Sequence, residues 1–201
     1  MSDHKAIAIV PANEASCQDI DAIFGTRGYP GRCRCQRFKT TSDEWWHNPI
    51  SLEERIFRQR QQTDCGYPGS GATSGLVSYL DGQPVGWCAV EPRSEYMRLG
   101  QTPWKDRDED ESDDTVWAVA CFVVRAGYRR QGLTYPLARA AVEYAREQGA
   151  RAIEGYPMIT EAGKDVTWGE LNVGTRQVFA AAGFEQVSHP SKRRVVMRID
   201  F

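Results

Sequence analysis

The run VWAVACFVVRAGYRRQGLTYPLARAAVEYAREQG, Val116 to Gly149, changes character twice. Val116 to Val124 is apolar, β-branched and aromatic, and short enough for a buried strand. Leu133 to Gln148 sets Leu133, Leu137, Ala140, Ala141, Tyr144 and Ala145 at helical spacing and stops at Gly149. Between them lies RAGYRRQGLT, a basic turn with two glycines. A strand that passes through such a turn into a helix gathers unpaired backbone N–H groups and the positive end of the helix dipole at one point, which makes an anion site. The spacing excludes two common anion loops. A P-loop needs glycines five apart followed by Lys and Ser or Thr, and a dinucleotide fingerprint needs three glycines in GxGxxG order.

Working outward, the flanks read as short elements. Residues 6–10, AIAIV, form a strand ending at Pro11, and Asn13 is placed to cap a helix over Glu14 to Phe24. Gly25 to Phe38, rich in Gly and Arg, reads as a loop carrying Tyr29, Arg32, Cys33, Arg34 and Cys35. Of the adjacent Trp45 and Trp46, one is expected to pack inward. Ser51, with Glu54 three residues on, opens a helix to about Gln62. Gly75 to Asp81 and Pro84 to Glu91 make a hairpin turning at Asp81-Gly82. After a long polar insertion, Pro92 to Asp114, and the central strand and helix, further strands fall at Arg151 to Tyr156, Phe184 to Ser188 and Arg194 to Ile199.

At 201 residues and 22.6 kDa the chain supports one well-buried core, so a single domain is expected. No apolar run approaches the roughly 20 residues that span a bilayer, and the start MSDHKA lacks a secretory apolar segment, so the expected location is cytoplasmic. A net charge of −2, from 25 basic and 27 acidic residues, gives no field toward nucleic acid or anionic membrane. The six cysteines, without an export signal, are expected to be free thiols. Cys33, Cys35, Cys65 and His47 could be read as a metal cluster, but C-x-C is not the usual ligand spacing and no metal is expected.

Arg129, Arg130, Gln131, Gly132, Leu133 and Thr134 resemble the pyrophosphate loop of the GNAT superfamily of N-acetyltransferases, where Arg or Gln, x, x, Gly, x, Gly or Ala wraps the diphosphate of acetyl-CoA. Thr134 departs from Gly or Ala at the last position. A second block follows about forty residues later, with Asn172, Thr175, Val178, Phe179, Gly183 and Phe184 in the register of that superfamily's later helix and Gly-Phe strand opening. The resemblance covers roughly Gly75 to Phe201. It implies an α/β GNAT-like fold, a mixed central sheet of about six to seven strands flanked by about four helices, in one domain over residues 1–201. Residues 1–74 would supply acceptor-side helices and loops, and residues 75–201 the hairpin and acetyl-CoA-binding core. It further implies that β-bridging backbone at Phe122, Val123 and Val124 holds pantetheine in a gap left where the next strand splays away. The turn from Arg129 to Thr134 would take the diphosphate, with Asn172 and Phe179 beside the cofactor.

The implied reaction moves an acetyl group from acetyl-CoA directly to a primary amine, on a small molecule, a protein N-terminus or a lysine. Its base is expected among Glu91, Asp114 and Glu154, with His189 a weaker candidate. The family often has a proton-donating Tyr where this chain has Phe179, and Phe cannot donate. Asp106 to Asp114 holds seven acidic residues, either a solvated loop or an acidic lip that favours a small cationic amine. Two other readings stay open: a CoA-binding regulatory module without transfer, and a thiol or metal module built on the cysteines. A homodimer is also left open.

Overall fold

A computed structural model of the chain describes residues 6–71, 73–160 and 167–201. Their secondary structure runs β1 (Ile7–Pro11), α1 (Cys17–Phe24), α2 (Gly28–Cys33), α3 (Ser42–Trp46), α4 (Leu52–Thr63), β2 (Gly75–Leu80), β3 (Gln83–Pro92), β4 (Val116–Val124), α5 (Thr134–Glu147), β5 (Ala152–Gly155), α6 (Trp168–Leu171), α7 (Arg176–Ala181), β6 (Glu185–Ser191) and β7 (Arg194–Asp200). The strands form one seven-stranded mixed sheet in the order β1-β2-β3-β4-β5-β7-β6. Every pair is antiparallel except β4–β5, which is parallel and joined through α5. The helices are more numerous than expected because four of the seven among the described residues are single turns or little more.

The α5 helix binds to the sheet through the stripe that its sequence spells. Leu137, Ala138, Ala141 and Ala145 are fully buried against Cys88, Val90, Val119 and Ile153. Its small residues let the helix lie close, and Pro136 falls in the first turn, where no intrahelical donor is needed. On the opposite face α1 packs Ile20, Ile23 and Phe24 against Val77, Trp87, Cys121 and Val123. The strand alternation of β4 therefore sends Phe122 toward α5 and Cys121 and Val123 toward α1.

Several boundaries differ from the sequence reading for identifiable reasons. The helix α1 starts at Cys17 because Ser16 is its cap, accepting from the Asp19 N–H, while Asn13 reaches Ser70 instead. The segment read as a loop over Gly25 to Phe38 contains α2, a turn of helix with Pro30 inside it. Trp45 is half-buried and Trp46 is 66% exposed, so neither enters the core. The expectation of free thiols is corrected at two cysteines: Cys17, at the start of α1, and Cys65, just past α4, form a disulfide with Cα atoms 5.1 Å apart. Cys33, Cys35, Cys88 and Cys121 are free. No helix among the described residues is long and apolar enough to cross a membrane.

Candidate active site

The β4–β5 pairing runs only from Val116↔Ala152 to Val119↔Gly155. Beyond it β4 continues to Val124 while β5 has ended, so a gap opens along the upper half of β4. Phe179 holds the wedge open. It is fully buried, edge-on to Phe122 at 5.9 Å and Phe184 at 5.0 Å. A Cβ on Gly155 would lie 2.1 Å from its ring, so the strand can end against this phenyl group only as glycine. Phe179 is thus packing beneath the gap and not part of its lining.

Above the gap, the turn carries three residues at positive φ, Gly127 at 93, Arg130 at 62 and Gly132 at 74. The helix α5 that follows has no side chain capping it; in its first turn the Tyr135 N–H is taken by the Gly132 carbonyl and Pro136 has none, which leaves the Thr134 N–H as the donor at the helix start. Phe122, Val124, Arg129, Arg130, Thr134, Leu171, Asn172, Gly174, Thr175 and Val178 together line a cavity of about 270 Å³. Of the residues expected to hold a cofactor, the fold brings Phe122, Val124, Arg129, Arg130, Thr134 and Asn172 to one place. Val123 faces α1, Leu133 is buried against Leu80 and Val85, and Gln131 is exposed, bonded to the Gly127 carbonyl. Gly132 shapes the turn through its backbone.

Asn172 is nearly buried, and its Oδ1 has no hydrogen-bond partner among the described residues although it lies at the cavity. Its backbone carbonyl accepts from the Phe122 N–H at 2.6 Å. That bond occupies the β4 donor that a ligand lying along the strand would use, so such a ligand has to displace the 171–173 segment. A diphosphate fits the turn for two reasons: the helix start offers the Thr134 N–H and the positive end of the helix dipole, and Arg129 and Arg130 supply charge.

A family model described as the acetyltransferase (GNAT) family matches residues 38–156, more than half of the chain. The chain belongs to the GNAT acetyltransferase family. It is accordingly an acyltransferase, and its mixed sheet with the β4–β5 gap is the GNAT fold. Solved structures agree on that fold. The protein yncA of Salmonella typhimurium, determined with its cofactor acetyl-CoA, superimposes with a TM-score of 0.53 at 15% identity over 97% of this chain and 94% of that one. A ribosomal-protein-alanine N-acetyltransferase from Brucella melitensis gives 0.52 at 17% over 96% and 99%. The aminoglycoside acetyltransferase AAC(6')-Ib with coenzyme A gives 0.51 at 15% over 97% and 95%. No curated protein matches the chain.

In this GNAT chain the three carboxylates considered as bases occupy different surroundings. Asp114 is exposed ahead of β4, on the order of 25 Å along the strand from Phe122. Glu154 is fully buried in β5. Arg107 and Arg198 meet it at 2.6 and 2.7 Å and Arg93 at 3.3 Å, while the Tyr156 hydroxyl donates at 2.9 Å. Burial alone would raise its pKa, but the arginines overcome that and hold it below the usual value. A carboxylate so engaged has no lone pair to spare for an amine proton.

Glu91 stands differently. It lies on β3 opposite Ala118, is 7% exposed and is ion-paired with Lys39. Burial pushes its pKa up to about 7 against the opposing pull of Lys39. A cavity of about 330 Å³ lined by Lys39, Glu91, Glu95, Trp117, Tyr144 and other residues opens beside it. Ala118 precedes Phe122 by four residues, roughly 13 Å along the strand.

The acidic insertion is not an open lip along its whole length. Glu109 pairs with Arg93, Arg107 and Arg198, the Asp110 carbonyl accepts from Arg93, and Asp113 pairs with Arg151. His189 lies within β6. His47 is exposed beside Asp43, Cys65 is in the disulfide, and among the described residues no group of three or more His, Cys, Asp or Glu could hold a metal.

Proposed function

We propose that this chain transfers the acetyl group of acetyl-CoA directly to a primary amine, in the cytoplasm. The observation that carries the reading is the convergence of the uncapped α5 start, Arg130, Thr134 and Asn172 on one cavity at the mouth of the β4–β5 gap. Acetyl-CoA supplies an activated thioester there. The turn binds its diphosphate through backbone N–H groups and the two arginines, and the unpartnered Asn172 Oδ1 accepts from an amide of the pantetheine arm. Glu91 serves as the base, acting through water because it sits along the sheet from the gap. A pKa near 7 suits it to take a proton at neutral pH. With Phe179 unable to donate, the departing thiol is released as thiolate, which is tolerable for a group whose pKa is about 8.5.

Calorimetric titration of acetyl-CoA into wild type, Gly132→Glu and Thr134→Glu tests the cofactor site. A carboxylate at either position meets the diphosphate, and Thr134→Glu carries none of the backbone strain of a side chain at φ 74. Both variants are expected to lose at least about tenfold in affinity. Wild-type affinity in Thr134→Glu would remove the turn from the cofactor site. For the base, the rate with a working amine should fall on the acid side with an apparent pKa near 7, and Glu91→Gln should remove that limb and cost about 100-fold in kcat. An unchanged pH profile in Glu91→Gln would exclude it.

One observation favours a second reading, a CoA-binding regulatory module: the Asn172 carbonyl already fills the Phe122 donor in the gap. Tight acetyl-CoA binding with no turnover of any amine would select that alternative.

A further inference from the structure

Three arginines that the transfer chemistry does not use lie near one another, close to the end of β5 and to α6. Arg37 comes from the connection after α2, Arg98 from the turn after β3, and Arg194 opens β7. Arg194 Nη1 donates to the Tyr156 carbonyl at 3.0 Å, one residue past the last β4–β5 pair. Arg37 Nη1 donates to the Gly169 carbonyl at 2.7 Å, within the same α6 turn that leads to Asn172. Arg98 Nη1 donates to the Arg37 carbonyl at 2.8 Å. The group is tied to the backbone just past β5 and to α6.

Among the described residues no carboxylate forms an ion pair with this group, and the one acid whose charge acts on it, Glu170 on Arg194, is shared with another arginine. All three side chains are half-buried, yet each holds carbonyl oxygen, and none pairs with a carboxylate among the described residues. Glu170, whose charge acts on Arg194, is bound at 2.9 Å by a fourth arginine, Arg193. Burial first, and then the charge of Arg37, lower the pKa of both Arg98 and Arg194. Flat aromatic surfaces fix the guanidiniums: Arg98 lies over the rings of Trp45 and Trp46 at 5.6 and 5.8 Å, and Arg37 over Phe38 at 5.4 Å. Stacking restrains the planes of these two, and the N–H groups beyond those given to carbonyl oxygens suit an oxyanion. Like charges gathered in a partly dry place cost free energy, which a bound anion offsets.

We propose that the acceptor is an amine carrying a carboxylate or phosphate, and that Arg37, Arg98 and Arg194 hold that anionic group while the amine points into the β4–β5 gap. The proposal rests on the transfer reading above for the amine alone; the anion grip follows from the arginines themselves. It also reverses the acceptor charge that the acidic insertion suggested from sequence, since Glu109 and Asp113 of that insertion are paired with other arginines.

The test is calorimetry on the full chain, alone and saturated with CoA so that the diphosphate turn is filled. The probes are β-alanine, 2-aminoethyl phosphate and 1,3-diaminopropane. Saturable binding of at least one of the two anionic amines is expected, weakened about tenfold or more in Arg37→Gln and Arg194→Gln, with CoA affinity unchanged in both variants. The preferred anion tells carboxylate from phosphate. Tighter binding of 1,3-diaminopropane, failure of both anions to bind, or equal anion binding by wild type and Arg194→Gln would each overturn the proposal. Failure of CoA to bind wild type would instead sink the transfer reading, and the titrations without CoA would still decide the anion grip.

Discussion

Two groups of three arginines stand in this molecule, and they differ in what answers their charge. Arg93, Arg107 and Arg198 surround the buried Glu154, with Glu109 as a second carboxylate. Arg37, Arg98 and Arg194 each hold a carbonyl oxygen, Arg37 also meets the Tyr29 hydroxyl, and none of the three forms an ion pair with a carboxylate among the described residues. The first group is complete within the chain: it binds the 93–110 segment to β5 and β7, so it works as a fastening. The second is incomplete within the chain, and a partly buried cation group without its counter-charge is suited to a ligand. Arginine count by itself would have ranked the two alike.

The largest effect that could break this contrast lies at Glu154. Replacing it by Gln leaves three arginines around a neutral amide, so unfolding free energy should fall by about 3–5 kcal/mol. Urea denaturation at neutral pH measures this, and a loss under about 1 kcal/mol would mean that the fastening is not one. Acid sharpens the same point. The folded pKa of Glu154 is lowered, so its contribution is present above the unfolded carboxylate value and is lost as pH falls through the folded one. The wild-type advantage over Glu154→Gln should therefore shrink below about pH 4.

A much smaller stability effect is expected in the other group. Arg194→Gln removes one carbonyl bond and relieves repulsion from Arg37, so unfolding free energy should change by less than about 1 kcal/mol and could rise. A loss as large as that of Glu154→Gln would place Arg194 in the fold's own framework and erase the distinction between the groups.

The elements that were legible in sequence are those whose signals are local. The apolar run Val116–Val124 is β4 to the residue, α5 lies within one residue of its periodic stripe at each end, and the hairpin turns at Asp81-Gly82, both at positive φ. Ser51 caps α4 as its spacing said, whereas Asn13 lost the cap of α1 to Ser16 because Ser70 offered it two acceptors. The short α2 carried no periodic signal, and its glycines and Pro30 argued for a loop.

By itself the sequence determined the strand–turn–helix at the centre, the second block around Asn172 and Phe179, and with them the family. Turn chemistry and side-chain periodicity act over a few residues, so they can be read along the chain. The tertiary structure alone decided the fate of charges and thiols. Glu154 meets Arg198 across 44 residues and Arg93 across 61, and Cys17 meets Cys65 across 48. Which carboxylate is consumed, which is left near neutrality and which arginines meet carbonyl oxygen in place of a carboxylate depend on neighbours and burial that only the closed sheet supplies.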